Sequence, residues 1–221
     1  MIKAAIFDLD GTLMDTLAGI AYHADTALAT LGLDPIPLDK YKIFVGNGRA
    51  NLLHRCLNYY NMDSEENFNK IVGIFDESYL NKCTINSVVY DGIYEMLEKL
   101  KSDGIKLGVL SNKPHKIALR TIELIFPDTF DICFGQRDNF PKKPNPDVAW
   151  DIAERFGVKK EECAFIGDSD VDMITGNNAQ MYPIGASWGF RGKEELNNAG
   201  AKAVADTADD IYKIIKNQNR K

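Results

Sequence analysis

Cysteine and histidine are scarce: Cys56, Cys83, Cys133 and Cys163 lie far apart with no Cys-x-x-Cys pair, and only three histidines accompany them. That spacing encodes neither a zinc site nor a disulfide framework, so packing thiols are expected. Basic blocks are missing too. With 26 Lys and Arg against 32 Asp and Glu the formal net charge is -6, and no Arg-rich arm could track a phosphodiester backbone, so nucleic acid is not an expected partner. No run reaches the ~18 apolar residues of a membrane span, and the amino terminus shows no charged-then-apolar signal region, so a cytoplasmic, non-membrane protein is expected. Repeats and low-complexity segments are also lacking, and the polar tail Lys216 to Lys221 is expected to fray.

What is present is enough apolar residue for a full core. A chain of 221 residues that is 45% hydrophobic suits one large domain or one domain carrying an insertion. Ile2 to Phe7 is short and mostly apolar, consistent with a strand buried on both faces of an open α/β sheet. A helix is expected from about Thr16 to Leu31, stopped by Gly32, and the pattern to about Val88 is helical with no convincing strand. After Tyr90 the rhythm becomes helix then short strand: Asp91 to Asp103, Lys106 to Leu110, Lys116 to Ile125, Asp131 to Phe134, Pro146 to Phe156, Cys163 to Ile166. Such alternation predicts an α/β fold with a parallel sheet wrapped by helices. Residues 1–15 and about 88–221 would form its core, and residues 16–87 a helical insertion.

Four segments at predicted strand ends carry polar groups that a buried sheet would not need. "FDLDGT" sets Asp8 and Asp10 one residue apart, on one side of the chain if the extended period of two persists. In open α/β sheets ligands bind just outside the carboxyl ends of strands. "LSNKP" ends the strand Lys106 to Leu110 with Ser111 and Asn112 and puts Pro114 in a first helical turn, where a hydroxyl and free amides suit a phosphate oxygen. "PKKPNP" holds Lys143 ahead of a helix between prolines, and "IGDSDVDM" crowds Asp168, Asp170 and Asp172 at a Gly-containing strand end. Crowded carboxylates cost stability unless a cation offsets them, and an oxygen-rich cluster suits Mg2+. Taken singly, each segment has an ordinary reading as a turn, a helix cap or a solvated lysine.

Together and in this order, the four segments resemble the motifs of the haloacid dehalogenase superfamily, over nearly the whole chain. "FVGNG", "SNKP" and "KPNPD" are similar to its phosphoglycolate phosphatase-like branch. The resemblance implies a Rossmann-like parallel sheet core flanked by helices, with an inserted α-helical cap over the active site. It implies a Mg2+-dependent phosphatase for a small phosphorylated substrate. Asp8 would be the nucleophile that becomes an aspartyl-phosphate. Asp10 would protonate the leaving alkoxide and later deprotonate water. Asp8, the Asp10 backbone carbonyl and Asp168 would hold Mg2+, with Thr12 and Asp172 supporting them from behind. Ser111, the Asn112 amide and Lys143 would bind phosphoryl oxygens.

Asp10 sets the chain apart from the dehalogenase branch, which lacks a carboxylate there. One departure is Gly19, where many such phosphatases carry an acidic residue. In the insertion, Gly46, Asn47 and Gly48 form a turn that lets backbone approach a ligand, and Arg49 at the following helix start could pair with a substrate carboxylate. A solvated Arg49 beside an ordinary cap is the plainer reading. A phosphosugar mutase, a pyrophosphatase and a non-catalytic phospho-acceptor share the expected core, and either a monomer or a homodimer is compatible with the sequence.

Overall fold

The computed structural model describes residues 1–137 and 140–220. In chain order the first part comprises β1 (Ala4–Phe7), β2 (Met14–Asp15), α1 (Leu17–Leu28), a 3-10 turn (Ala29–Leu31), α2 (Leu38–Phe44), α3 (Arg49–Tyr59), α4 (Glu65–Asn81) and β3 (Val88–Val89). The second comprises α5 (Ile93–Ser102), β4 (Lys106–Pro114), α6 (His115–Ile125), β5 (Ile132–Gln136), α7 (Asp147–Phe156), a 3-10 turn (Lys160–Glu162), β6 (Cys163–Gly167), α8 (Asp170–Asn178), β7 (Tyr182–Ala186), α9 (Lys193–Asn198), β8 (Ala203–Ala205) and α10 (Ala208–Gln218).

Six strands form one Rossmann-like sheet in the order β5-β4-β1-β6-β7-β8, and every pairing in it is parallel. Its centre explains why the first strand is apolar throughout. Ala5 and Phe7 point into a cluster with α5, α6 and α10, whereas Ala4 and Ile6 point into a second cluster with α7. β6 divides the same way, Ala164 and Ile166 to one face, Cys163 and Phe165 to the other. With a side-chain period of two and both faces covered, no position in these strands tolerates a polar residue until the strand ends.

The helices α1 to α4 pack around an apolar cluster of their own, with Leu28, Leu53, Leu57 and Phe75 fully buried. Ser64 caps α4 by accepting from the Asn67 amide. The chain leaves the sheet and returns to it through a two-stranded antiparallel ribbon, Met14 opposite Val89 and Asp15 opposite Val88. That ribbon was not expected from the sequence, because two residues per strand carry no periodicity. β7 and β8 also went unread: Pro183 and Gly185 interrupt the pattern of the one, and the other is three residues long.

One expectation is corrected. The strand after Lys106 does not stop at Leu110 but stays extended to Pro114, which precedes α6 rather than sitting in its first turn. The register against β5 shifts between Leu110 and Pro114, so Ser111 to Lys113 run extended beside a break in the ladder. A bulge of this kind re-aims side chains at a sheet edge.

Candidate active site

Parallel strands deliver their carboxyl ends to one edge, and β1 lies between β4 and β6. Asp8, Ser111 and Asp168, the first polar residues past the apolar stretches of these three strands, are therefore brought together. All three are buried. Asp8 Oδ1 lies 3.0 Å from the Lys143 ammonium, yet without the alignment of a hydrogen bond, so this buried oxygen has no hydrogen-bond partner. Burial pushes the Asp8 carboxyl up to about 6, Lys143 opposing the rise and Asp172 and Asp10 adding to it.

Lys143 donates instead to Asp172 Oδ1 at 2.6 Å. Burial alone would lower its ammonium, but Asp172 and Asp8 outweigh that and hold it above the usual lysine value. Asp172 is fixed in turn, since its Oδ2 accepts from the Ser169 amide at 3.1 Å and hydroxyl at 2.6 Å in the capping box of α8. The glycine of "GDS" has a steric reason here: a Cβ on Gly167 would lie 2.2 Å from the Asp172 Cβ. Asp168 Oδ2 accepts from the Phe190 amide at 2.7 Å, and Oδ1 from the Thr12 hydroxyl at 3.3 Å. Burial first, then Asp172 and Asp8, hold the Asp168 carboxyl well above the ordinary range. Gly11, at φ +82°, closes the turn against it, and a Cβ there would sit 2.3 Å from Asp168 Oδ2.

Ligand oxygens of Asp8, Asp168 and Asp172 lie within 4.8 Å of one another, an acidic triad able to hold a metal ion. Asp172 has one oxygen bound to the Lys143 ammonium and the other taken twice by Ser169, whereas Asp168 carries one hydrogen bond on each oxygen, the Thr12 one long at 3.3 Å, and Asp8 Oδ1 has none. The Asp10 side chain turns elsewhere. Its Oδ1 accepts from the Thr16 hydroxyl at 2.7 Å and from the Lys113 ammonium at 2.8 Å.

A cleft of about 630 Å³ opens above these groups, and Asp8, Asp10, Ser111, Asn112 and Asp168 line it. Lys143 stands behind Asp8 with its side chain 2% exposed. It is held there through Asn112, whose Oδ1 accepts from the Lys143 amide at 2.9 Å and whose Nδ2 donates to the Lys143 carbonyl at 3.2 Å. The same Nδ2 donates to the Gly46 carbonyl at 3.0 Å, docking the α2–α3 turn on the sheet edge. Gly46 and Gly48 both take positive φ, +98° and +85°. Gly46, Gly48 and Arg49 line the cleft. Asn47 faces away, its carbonyl taking Lys142 and Asn51 and its side chain taking Arg55. Arg49 is paired through Nη1 with Asp76 of α4.

A profile of haloacid dehalogenase-like hydrolases matches residues 5–186, spanning every one of these strand ends. The chain belongs to this family. It is 31% identical over 221 residues to a phosphoglycolate phosphatase of Vibrio parahaemolyticus, covering 97% of this chain and 96% of the relative. The one from Psychrobacter arcticus is 31% identical over 208 residues, covering 91% and 90%. Among solved structures, a candidate phosphoglycolate phosphatase from Lactobacillus delbrueckii subsp. bulgaricus superposes with a TM-score of 0.91 at 30% identity, over 96% of this chain and 98% of that one. A β-phosphoglucomutase from Clostridium difficile, TM-score 0.80 at 24% identity over 100% and 98%, shares the fold alone.

Four residues of this haloacid dehalogenase-like hydrolase reach the site without having been singled out in the sequence. Thr16 and Lys113 bind Asp10, and Tyr79 and Arg191 line the cleft from α4 and from the β7–α9 connection. Lys113 follows Asn112 within the quoted "LSNKP" segment, and that position was its only signal. Tyr79 belongs to an amphipathic stripe that reads as plain core, and its place over the cleft is a matter of packing. Gly19 lies on α1, where a Cβ would meet the Ile85 carbonyl oxygen at 2.5 Å. The return segment before β3 thus occupies the space an acidic side chain would need.

Proposed function

We propose that this hydrolase is a Mg2+-dependent phosphatase for a small phosphate monoester of the phosphoglycolate type, with residues 1–15 and 88–221 as catalytic core and residues 16–87 as a cap. The observation that carries the reading is Asp8, a buried carboxylate at the cleft floor whose Oδ1 has no aligned donor, two residues before a second carboxylate in the same cleft. An oxygen held only by an ion pair with Lys143, which is shared with Asp172, and set beside surplus negative charge fits a hard divalent cation with oxygen ligands. Asp8, Asp168 and the Asp10 carbonyl would hold it, with Thr12 and Asp172 fixing the ligands. Bound Mg2+ would offset the repulsion between an anionic nucleophile and an anionic phosphate.

The Asp8 carboxylate attacks phosphorus and the ester P–O bond breaks, leaving an aspartyl-phosphate. Asp10 gives its proton to the departing alkoxide, then takes one from the water that attacks the aspartyl-phosphate, so that phosphate leaves with Asp8 again a carboxylate and Asp10 again protonated. Ser111 and the Asn112 amide face the cleft as donors to phosphoryl oxygens, and Lys143 compensates charge from behind Asp8. Arg49 and Arg191, which both line the cleft, suit a substrate with a second anionic group such as a carboxylate. The relatives named as phosphoglycolate phosphatases support that class.

The test is a phosphate-release screen over small phosphorylated acids, sugars, nucleotides and pyrophosphate, with and without Mg2+. A carboxylate-bearing monoester is expected to lead, and Asp8→Asn is expected to lose ~10^4-fold or more in turnover. Retention of more than a few per cent by that variant overturns the nucleophile. Phosphate migration between sugar positions without net release would identify a mutase instead.

A further inference from the structure

Lys113 lies inside the "LSNKP" segment but has no part in the phosphate or metal roles given to that segment, and its side chain is 1% exposed with its ammonium ending beside Asp10. It donates to Asp10 Oδ1 at 2.8 Å and to the Tyr79 hydroxyl. The nitrogen also lies 4.3 Å from the centre of the Tyr79 ring, within cation–π range. Asp10 Oδ1 accepts from the Thr16 hydroxyl at 2.7 Å as well, so one oxygen is held from two sides and the carboxylate plane is set. Tyr79 comes from α4, across the cleft from the sheet, and is anchored in turn. His23 of α1 stacks on it at 4.4 Å, and that imidazole is pinned between the Ser78 hydroxyl at 2.8 Å and the Lys82 carbonyl at 3.2 Å.

An ammonium so enclosed is costly unless its partners satisfy it. Here the partners come from two layers: the carboxylate from the sheet edge, the hydroxyl and the ring from the helices. We propose that Lys113 is a positioning residue for Asp10, and that Tyr79 completes its setting, so that proton transfer to the leaving oxygen depends on a contact supplied by the α1–α4 helices. The inference rests on the reading of Asp10 as the acid–base. It assigns Lys113 no contact with the phosphoryl group, which separates it from Lys143.

The experiment is a set of kinetic comparisons on Lys113→Met, Tyr79→Phe, Asp10→Asn and the double variant Asp10→Asn/Lys113→Met, using phosphoglycolate and p-nitrophenyl phosphate. General acid catalysis is typically worth 10^2- to 10^4-fold, and an alkoxide needs it far more than p-nitrophenolate. Lys113→Met is expected to lower kcat for phosphoglycolate by ~10- to 100-fold, with a loss of only ~3-fold for p-nitrophenyl phosphate and little change in KM. Tyr79→Phe keeps the ring and removes the hydroxyl, so it is expected to show the same bias at smaller size and tests the idea should Lys113→Met fold poorly. In the Asp10→Asn background the lysine change is expected to cost nothing further, since residues acting as a unit are non-additive. Equal losses on both substrates, a pure KM effect, or full additivity with Asp10→Asn would overturn the proposal. If Asp10→Asn itself lacks the leaving-group bias, the acid–base reading falls, and this proposal with it.

Discussion

Removing the charge of Asp8 should make the metal-free protein more stable, by an amount that depends on pH. Its carboxyl is pushed from 3.8 to about 6, a displacement of about two pH units, or roughly 3 kcal/mol between the protonation states. The folded protein therefore binds this proton more tightly than the unfolded chain, and its contribution to stability is fully present below 3.8 and lost as pH rises through about 6. Asn mimics the protonated form. In EDTA, Asp8→Asn should match wild type near pH ~4 and exceed it above pH ~7 by something on the order of 2–3 kcal/mol. At ~2–4 °C per kcal/mol for a chain of this size, the difference in Tm is ~5–10 °C. Thermal unfolding of both proteins across pH measures it. Millimolar Mg2+ should then largely cancel that advantage at high pH, since a ligand at 100 times its Kd stabilises the folded state by ~2.7 kcal/mol and the variant has lost a ligand. An advantage for Asp8→Asn that is constant with pH, or that grows on acidification, would refute the charge-crowding account.

Three further outcomes are expected. Gly19→Glu should destabilise the protein by ~1–3 kcal/mol in a urea titration, because its Cβ would meet the Ile85 carbonyl oxygen at 2.5 Å. Arg49→Ala should raise KM for phosphoglycolate ~10-fold and affect p-nitrophenyl phosphate far less; equal effects would mean that Arg49 serves only its pair with Asp76. Replacing Mg2+ by Ca2+ should restore little phosphate release after chelation, since the larger ion favours more ligands at longer distances, and full activity in Ca2+ would contradict the geometry.

Three of the chemistry-bearing residues that could be read from the sequence share one property: each follows the apolar stretch of a strand. Asp8, Ser111 and Asp168 stand out because two-face burial forbids polar residues in such strands, and parallel pairing then carries their ends to one edge without further information. Lys143 and Asp172 were legible from the company they keep in "KPNP" and "GDSDVD"; the sheet order brings Asp172 near Asp8, and the Asn112 side chain holds Lys143 there. Other contacts depend on how the helices lie on the sheet. That Lys113 binds Asp10, 103 residues away, that Tyr79 covers it, and that Arg49 meets Asp76 across α3 and α4 are long-range facts with no periodic signature. The extension of β4 to Pro114 is of the same kind, because a bulge is set by the partner strand. Local pattern determined the parallel sheet and its row of polar strand ends, since burial acts residue by residue along a strand. Only the tertiary structure decided what the Asp10 carboxylate touches, because that depends on where α4 comes to rest.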